Sequence, residues 1–344
     1  MVKVAIVAAS SQLAKEVIDK LVETKKHEII ALVRKDPTQY PPITGVKYVQ
    51  TSYDKKELVN ILKGVETVLC FFPVHLDQGN ETQKRLIDAS IEAGVKRFAP
   101  SEWATGVKLE NSIDVIPWYA GKVEVARYLE EVNKDKKVSS LMIYLAYYVT
   151  HKFKAHDWSQ VIEYTRFQVG FFMNYLSHPH KSANHVSTIP FLFDFENQRA
   201  TAIEGAYNDA ISWTTVQDIA GVAARAVEYE GEWPSIGGIV GTRVTIGEML
   251  KLGESIGRPF TVKWHKLEDL EAQTKKEAPP IDSSFDLHTA SPEVIAGFME
   301  YATRSILQGI HRGAYDVSNE WNKLLPDYKF TQVEDFVKEY WGGK

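Results

Sequence analysis

Short apolar runs alternate with segments of helical periodicity over the first hundred or so residues. Val2–Ala8 and Val65–Phe72 are nearly continuous apolar runs, as expected for strands that are buried on both faces. After the first run, apolar residues recur at helical spacing, at Leu13, Val17, Ile18, Leu21 and Val22. Strand alternating with helix predicts an α/β fold with a doubly wound parallel sheet, with helices on both of its faces.

The pattern continues through three more strand-like runs and then loosens beyond about residue 165. The further runs are Glu28–Val33, Lys47–Gln50 and Val95–Ala99, and Pro117 can begin a helix that ends near Asn133. We predict a Rossmann-type nucleotide-binding domain over residues 1–170 and a smaller substrate-side domain over residues 171–344. Part of residues 200–230 is expected to return to the first domain. Within it, Val216–Tyr229 has helical periodicity.

Charge and cysteine content narrow the partners that we expect. The net charge of −5 gives no reason to expect nucleic acid or anionic lipid as a partner. The longest later apolar run, Leu141–Val149, is too short to span a bilayer. Cys70 is the only cysteine, so no intrachain disulfide can form and a cytoplasmic protein is expected. We predict a small-molecule substrate and no metal; the oligomeric state is left open.

The turn after the first strand is the predicted cofactor loop. Three glycines usually line this turn, where the pyrophosphate of a dinucleotide lies. Ala8, Ser11 and Ala14 occupy their positions, and none of them adopts a positive φ freely. Amides at the start of a helix can still receive a phosphate, so we expect weakened binding, the alternative being a loop that binds little or nothing. The residues expected to contact the cofactor are Ala8, Ser10, Ser11, Gln12 and Leu13.

Two further positions are expected at the same ligand edge. The basic pair Arg34-Lys35 follows the second strand, where a dinucleotide site places an acid for a ribose hydroxyl or an arginine for a 2′-phosphate. The pair therefore favours NADP(H) over NAD(H), the alternative being a solvated basic turn. Phe72 ends the fourth strand at the carboxyl edge of the sheet, and its ring can flank the cofactor or belong to the core.

A longer stretch of sequence resembles a known family. Leu86-Ile87-Asp88-Ala89 through Ala93-Gly94-Val95-Lys96-Arg97-Phe98-Ala99-Pro100-Ser101-Glu102-Trp103 resembles the signature of the NmrA-like/isoflavone reductase-like family, which are atypical short-chain dehydrogenase/reductase relatives. Tyr164–Phe167 with Gly170–Phe172, and Trp213–Ala220, resemble later segments of that family. The resemblance covers nearly the whole chain except about residues 138–161. It identifies the family but gives little information about the substrate.

The resemblance implies a catalytic lysine on the helix after the fifth strand, and Lys122 matches that position. A buried ammonium near a dinucleotide can donate a proton to a substrate oxygen or stabilise an oxyanion, the alternative being a solvated helix lysine. The wider superfamily places a tyrosine four residues earlier, where this chain has Trp118. Tyr119 comes one residue late, about 100° away around an α-helix, so we do not give it that tyrosine's role. Ser101 follows the fifth strand and is expected to bind substrate or nicotinamide.

Three functions follow from these residues. The first is an NADPH-dependent oxidoreductase of the isoflavone reductase-like type, acting on a small organic, aromatic or secondary-metabolite substrate; Lys122 and Arg34 favour it. The second is a non-catalytic NAD(P)-binding regulator of the NmrA type, which the altered glycine turn and the missing tyrosine favour. The third is a cofactor-independent isomerase or lyase that kept the pocket and lost the hydride donor.

The segment Val138–Gln160 interrupts the expected passage from helix to strand. The family pattern runs from a helix that ends near Asn133 directly into a strand that begins near Val161. A connection of this length without clear structure is unusual inside a compact domain. Its ends are compatible with splice-site codons, and its removal keeps the reading frame. We therefore interpret it as a translated, unspliced intron, the alternatives being a true insertion that forms a lid or partner surface, or a native strand.

Overall fold

The computed structural model describes residues 1–148, 161–276 and 292–343, and a six-stranded sheet lies at its centre. The strands lie in the order β3-β2-β1-β4-β5-β6, and every neighbouring pair is parallel. Strand order therefore reverses between β1 and β4, which is where doubly wound sheets bind their ligands. The predicted doubly wound fold is confirmed. The six strands are β1 (Val2–Val7), β2 (His27–Val33), β3 (Val46–Gln50), β4 (Thr67–Cys70), β5 (Arg97–Ala99) and β6 (Glu163–Tyr164).

Helices cover both faces of this sheet, and short strands form three smaller sheets in the second half of the described chain. The helices are α1 (Gln12–Thr24), α2 (Lys55–Ile61), α3 (Glu81–Glu92), α4 (Ala120–Tyr148), α5 (Val216–Glu228), α6 (Ile246–Ser255), α7 (Leu267–Lys276), α8 (Pro292–His311), α9 (Glu320–Leu324) and α10 (Val333–Trp341). The remaining strands are β7 (Arg166–Gln168), β8 (Phe171–Phe172), β9 (Phe193–Asp194), β10 (Arg199–Ile203), β11 (Ala210–Thr214), β12 (Ile236–Gly238), β13 (Thr242–Thr245) and β14 (Thr261–His265). Within the described ranges, no helix has the length and apolar character needed to cross a bilayer.

The apolar run of β1 is buried on both faces, as its sequence predicts. Val4 and Ile6 pack into one core with helices α1 and α5, whereas Ala5 and Val7 pack into a second core with α2, α3 and α4. This alternation follows from the two-residue period of a strand. A third core lies among β8 to β11, α6, α8 and α10, around Trp213.

Two of the predicted elements differ from the structure. Helix α4 does not end near Asn133 but continues to Tyr148, so the native-strand alternative for Val138–Gln160 is wrong for its described part, Val138–Tyr148. A short apolar run fits helix and strand equally well, and extending an existing helix avoids the cost of nucleating a new element. Residues 149–160 lie outside the described residues. The apolar pattern of Thr188–Phe195 likewise predicts a strand, and the structure has one only at Phe193–Asp194.

Candidate cofactor and active site

The turn between β1 and α1 closes without glycine. Ala8 has a φ of 57°, a left-handed conformation that glycine adopts far more easily. The backbone N–H of Ser11 donates to the carbonyl of Ala8 at 3.0 Å, and the N–H of Ala9 donates to Leu32 of β2 at 3.1 Å. The turn therefore keeps the conformation for which glycine is usual, at some cost in backbone strain.

Ser11 begins helix α1 as its N-cap, since its Oγ accepts from the N–H of Ala14 at 3.3 Å. The next two amides, of Gln12 and Leu13, have no acceptor among the described residues, so they can receive an anion. The side chain of Leu13 is buried in the core, and that of Gln12 bonds Ser187. Both residues therefore offer a ligand their backbone rather than their side chains.

A cavity of about 490 Å³ lies beside this turn, at the carboxyl edge of the sheet. Five of the residues predicted to contact the cofactor line it: Ala8, Ser10, Arg34, Lys35 and Phe72. Lys15 and Tyr53, which the sequence analysis missed, line it as well. Lys15 follows Ser11 by four residues on the same helix face, a signal that could have been used. Arg34, Lys35 and Lys15 outnumber the one acidic lining residue, Asp77, whose carboxylate accepts from the N–H groups of Thr82 and Gln83, so the cavity is basic.

Tyr53 forms part of the cavity wall beside the basic pair. Its ring lies under the Arg34 guanidinium, whose carbon is 5.6 Å from the ring centroid, and meets Phe72 edge-on at 4.9 Å. Its backbone is left-handed, with a φ of 64°. Burial raises the pKa of its hydroxyl to about 12, so the phenol stays neutral near pH 7. No sequence pattern marked Tyr53, because its place depends on an irregular backbone after β3.

Ser101 connects the ends of β4 and β5. Its Oγ donates to the carbonyl of Phe72 at 2.7 Å, and its N–H donates to Oε1 of Gln83 at 2.7 Å. Both of its hydrogens are therefore engaged inside the protein, and the side chain offers a ligand only its acceptor capacity. Ser101 is buried and lies outside the lining of the basic cavity.

Lys122 lies in the first turn of α4 and is 5% exposed. Its ammonium donates to the main-chain carbonyl of Glu102, which directly follows Ser101. The same Nζ lies 4.0 Å from the centroid of the Tyr119 ring. Since Ser101 also bonds Phe72 of the cavity wall, a continuous set of contacts joins the basic cavity to Lys122.

Tyr119 lies three residues before Lys122, in a short turn that leads into α4. Pro117–Tyr119 forms a 3₁₀ turn, and α4 begins only at Ala120. In a tighter helix, residues three apart lie nearly above each other, which brings the ring of Tyr119 over Lys122. The 100° of the sequence analysis separates Tyr119 from position 118, so this contact leaves that interpretation a prediction: Tyr119 is not given the role of the superfamily's tyrosine.

Glu102 and Lys122 form a buried, electrostatically coupled pair. Burial lowers the pKa of the Lys122 ammonium, and the nearby Glu102 opposes that shift. Burial likewise raises the pKa of the Glu102 carboxyl, while Lys122 and Arg166 oppose it. Both shifts bring the pKa values of the two groups closer to neutral pH than those of exposed side chains. Such pKa values suit proton transfer.

The three histidines that could suggest a metal have other neighbours. His185 Nε2 lies 2.8 Å from the Asp19 carboxylate, and His178 Nδ1 lies 3.3 Å from the Thr188 hydroxyl. His180 packs edge-on against Trp341 at 4.8 Å. In the ranges that the structure describes, no group of three or more histidine, cysteine or acidic side chains is placed to hold a metal ion.

Comparison with known proteins places this site in a family. The model of the NmrA-like family matches residues 2–239. The oxidoreductase BOA1 of Botryotinia fuckeliana (strain B05.10) is 24% identical over 340 residues, covering 98% of this chain and 100% of that protein. The structure of AtPrR2 with NADP+ and (+)pinoresinol is similar with a TM-score of 0.64 and 17% identity, covering 98% of each chain. An isoflavone reductase structure has a TM-score of 0.62 and 18% identity, covering 98% of this chain and 99% of that one.

The family match agrees with the sequence segments that first suggested it. It begins in β1, takes in the altered glycine turn, the run from Leu86 to Trp103 and Lys122, and ends just after β12. The solved relatives share the fold over nearly their whole length. The chain therefore belongs to the NmrA-like family.

Proposed function

We propose that the protein is an NADPH-dependent oxidoreductase of the isoflavone reductase-like type, acting on a small organic substrate of the aromatic or secondary-metabolite class. The observation that carries the proposal is the basic cavity, whose wall residue Phe72 is linked through its hydrogen bond with Ser101, and through the neighbouring Glu102, to the buried ammonium of Lys122. A relative of similar length is an oxidoreductase, and a protein of the same fold was solved with NADP+.

The residues around the cavity fit the phosphates of NADP(H). The amides of Gln12 and Leu13 open a helix at the topological switch point, where a pyrophosphate is stabilised. Arg34, Lys35 and Lys15 supply positive charge for the 2′-phosphate that distinguishes NADPH from NADH. NADPH, when bound, supplies the hydride.

Lys122 supplies the proton in this proposal. Its ammonium is removed from water, and a desolvated ammonium with a lowered pKa donates a proton more readily than an exposed lysine does. The carbonyl of Glu102 orients it, and the Glu102 carboxyl favours its charged form. The protein thereby holds a charged donor in a site that largely excludes bulk water.

A second candidate function is a non-catalytic NAD(P)-binding regulator of the NmrA type. The strained backbone of Ala8 favours it, because a turn without glycines suits a protein that does not need to bind its cofactor tightly. The two candidates share the cofactor and differ in whether bound NADPH is consumed.

Calorimetric titration with NADPH and NADH tests the cofactor assignment. We expect the protein to bind NADPH more tightly, and Arg34→Ala to weaken NADPH binding roughly 10- to 100-fold while leaving NADH unchanged, since hydrogen bonds to charged groups contribute about 1.5–3 kcal/mol. Arg127→Ala is the matched control, because Arg127 is an exposed arginine that pairs with Glu110 away from the cavity. Equal losses for both dinucleotides would contradict the role of Arg34.

Loss of NADPH absorbance with (+)-pinoresinol or phenanthrenequinone as probe separates the two functions. A reductase consumes NADPH, and Lys122→Ala lowers kcat by about 10²–10⁴-fold while NADPH affinity stays within about tenfold. Lys134→Ala, an exposed position of the same helix, should leave turnover intact. Tight, NADPH-selective binding without consumption of either probe would favour the regulator.

A further inference from the structure

The ring of Tyr119 lies where it can act on Lys122. Lys122 Nζ is 4.0 Å from the ring centroid, well inside the range in which an ammonium is attracted to the negative face of an aromatic ring. Tyr119 ends the 3₁₀ turn Pro117–Tyr119, three residues before Lys122. Gly121, between them, lets the start of α4 lie close against Asn80, since a Cβ there would be 2.3 Å from Asn80 Oδ1.

We propose that the face of the Tyr119 ring, and not its hydroxyl, holds Lys122 in the charged form and fixes its direction, which makes Tyr119 a positioning residue of this site. The catalytic role of Tyr119 in this proposal rests on the proposed function. The electrostatic effect on Lys122 exists whether or not the protein turns over a substrate.

The surroundings make such a stabiliser necessary. Burial removes the water that would otherwise solvate the ammonium, and an uncompensated buried charge is costly. Lys122 has one hydrogen bond among the described residues, to the neutral carbonyl of Glu102. No carboxylate lies within 4.0 Å of its Nζ in the described part of the chain, so the aromatic face is its nearest compensating group beside that carbonyl.

Other titratable groups on the packed elements act at a greater distance or on other partners. Glu102 favours the charged form of Lys122, and Arg166 acts on Glu102. Glu124, two residues after Lys122, accepts from Asn80 at 2.6 Å. His75 lies in the 3₁₀ turn Val74–Leu76 that packs against the start of α4. Tyr175 and Tyr315 interact electrostatically with Tyr119, and their hydroxyls are neutral because burial raises their pKa values.

The hydroxyl of Tyr119 is a weaker candidate for the same role. Burial raises its pKa, so it carries no negative charge that could stabilise an ammonium near pH 7. Trp118 packs edge-on beside it, with ring centroids 6.0 Å apart. If the ring stabilises Lys122, Tyr119→Phe should leave the protonation of Lys122 unchanged. If the hydroxyl does, the same substitution should alter it.

An NMR titration of lysine labelled with ¹³C at Cε tests the proposal without cofactor or substrate. The Lys122 signal is assigned by its loss in Lys122→Arg. We expect Tyr119→Leu to lower the midpoint of Lys122 by about 0.4–1.5 pH units, from the usual strength of a cation–π contact. Tyr119→Phe keeps the ring face and should leave the midpoint nearly unchanged.

Pentafluorophenylalanine at position 119 guards against loss of folding, because it keeps the ring's shape and reverses its charge distribution. It should lower the midpoint of Lys122 at least as much as Tyr119→Leu does. A midpoint that fails to respond to pentafluorophenylalanine, or that falls equally in Tyr119→Phe, overturns the proposal. Since the readout is the protonation of Lys122 itself, a protein that proves not to be a reductase leaves the result interpretable.

Discussion

At the scale of single residues, the three positions that usually hold glycine have become different kinds of residue. Ala8 retains the left-handed backbone of the first glycine, with a φ of 57°. Ser11 has turned into a helix cap, and Ala14 lies inside α1 and is fully buried. One position therefore still calls for glycine, while the other two have acquired side chains that stabilise the helix or its packing.

Ala8→Gly should raise the free energy of unfolding by about 1 kcal/mol, because glycine removes the steric cost of a left-handed backbone. Ala14→Gly is the matched control and should lower it by about 1 kcal/mol, since glycine is unfavourable inside a helix. Urea unfolding at equilibrium measures both changes. NADPH affinity of Ala8→Gly should be held or improved, and a destabilised Ala8→Gly would show that the turn is not strained at this position.

At the scale of elements, helix α1 follows the cofactor turn and also binds a distant segment of the chain. The segment 185–187 crosses the helix, and Glu16 Oε1 accepts from the N–H groups of His185 at 2.6 Å and Val186 at 3.1 Å. Gln12, one turn earlier, bonds Ser187. The spacing of Gln12 and Glu16 puts both on one helix face, so a single face of α1 binds a segment distant in sequence.

Glu16→Ala should lower the free energy of unfolding by about 2–3 kcal/mol, since it removes the charged acceptor of two amides and leaves them without a partner. Glu16 is 5% exposed, so water cannot easily take its place. Asp19→Ala provides the comparison, because Asp19 pairs with His185 at a partly exposed position and should cost less than about 1 kcal/mol. Equal effects of the two substitutions in urea unfolding would refute the special role of Glu16.

At the scale of the whole molecule, the residues on either side of the segment 138–160 lie side by side. Asn133 Oδ1 accepts from the N–H of Val161 at 2.7 Å and from that of Ile162 at 3.2 Å. Strand β6 therefore begins beside the middle of α4, although the intervening residues separate them in sequence. The proximity supports the proposal that Val138–Gln160 interrupts an older, direct connection; its origin as an unspliced intron stays a prediction.

Deletion of Val138–Gln160 should give a protein that unfolds cooperatively, with a Tm within about 5 °C of the full chain, because the remaining residues can span two points that already lie side by side. Calorimetry and soluble yield measure the outcome, and Asn133→Ala in the shortened chain tests whether the same contact closes the connection. An insoluble or non-cooperative product, or a loss of NADPH binding, would show that the segment belongs to the native fold. Sequencing the transcript decides its origin, since a spliced message that still encodes Ser139 to Ser159 ends the intron hypothesis.

The sequence by itself determined the features that depend on local order along the chain. The alternation of apolar runs and helical periodicity defined the doubly wound sheet, since strand and helix bury side chains with different periods. The sequence segments before Trp103 indicated the family, and Lys122 matched a position within it. The division into domains and the roles of the site residues remain predictions.

Only the tertiary structure decided which distant residues meet. Lys15 and Tyr53 join Arg34 at one cavity, Ser101 bonds Phe72, and Asn133 meets Val161. The ring of Tyr119 lies over Lys122 where a 3₁₀ turn meets α4, a contact that hydrophobic periodicity does not report. Periodicity records which face of an element is buried, whereas contacts between elements depend on packing, on irregular backbone angles and on the order of strands in the sheet.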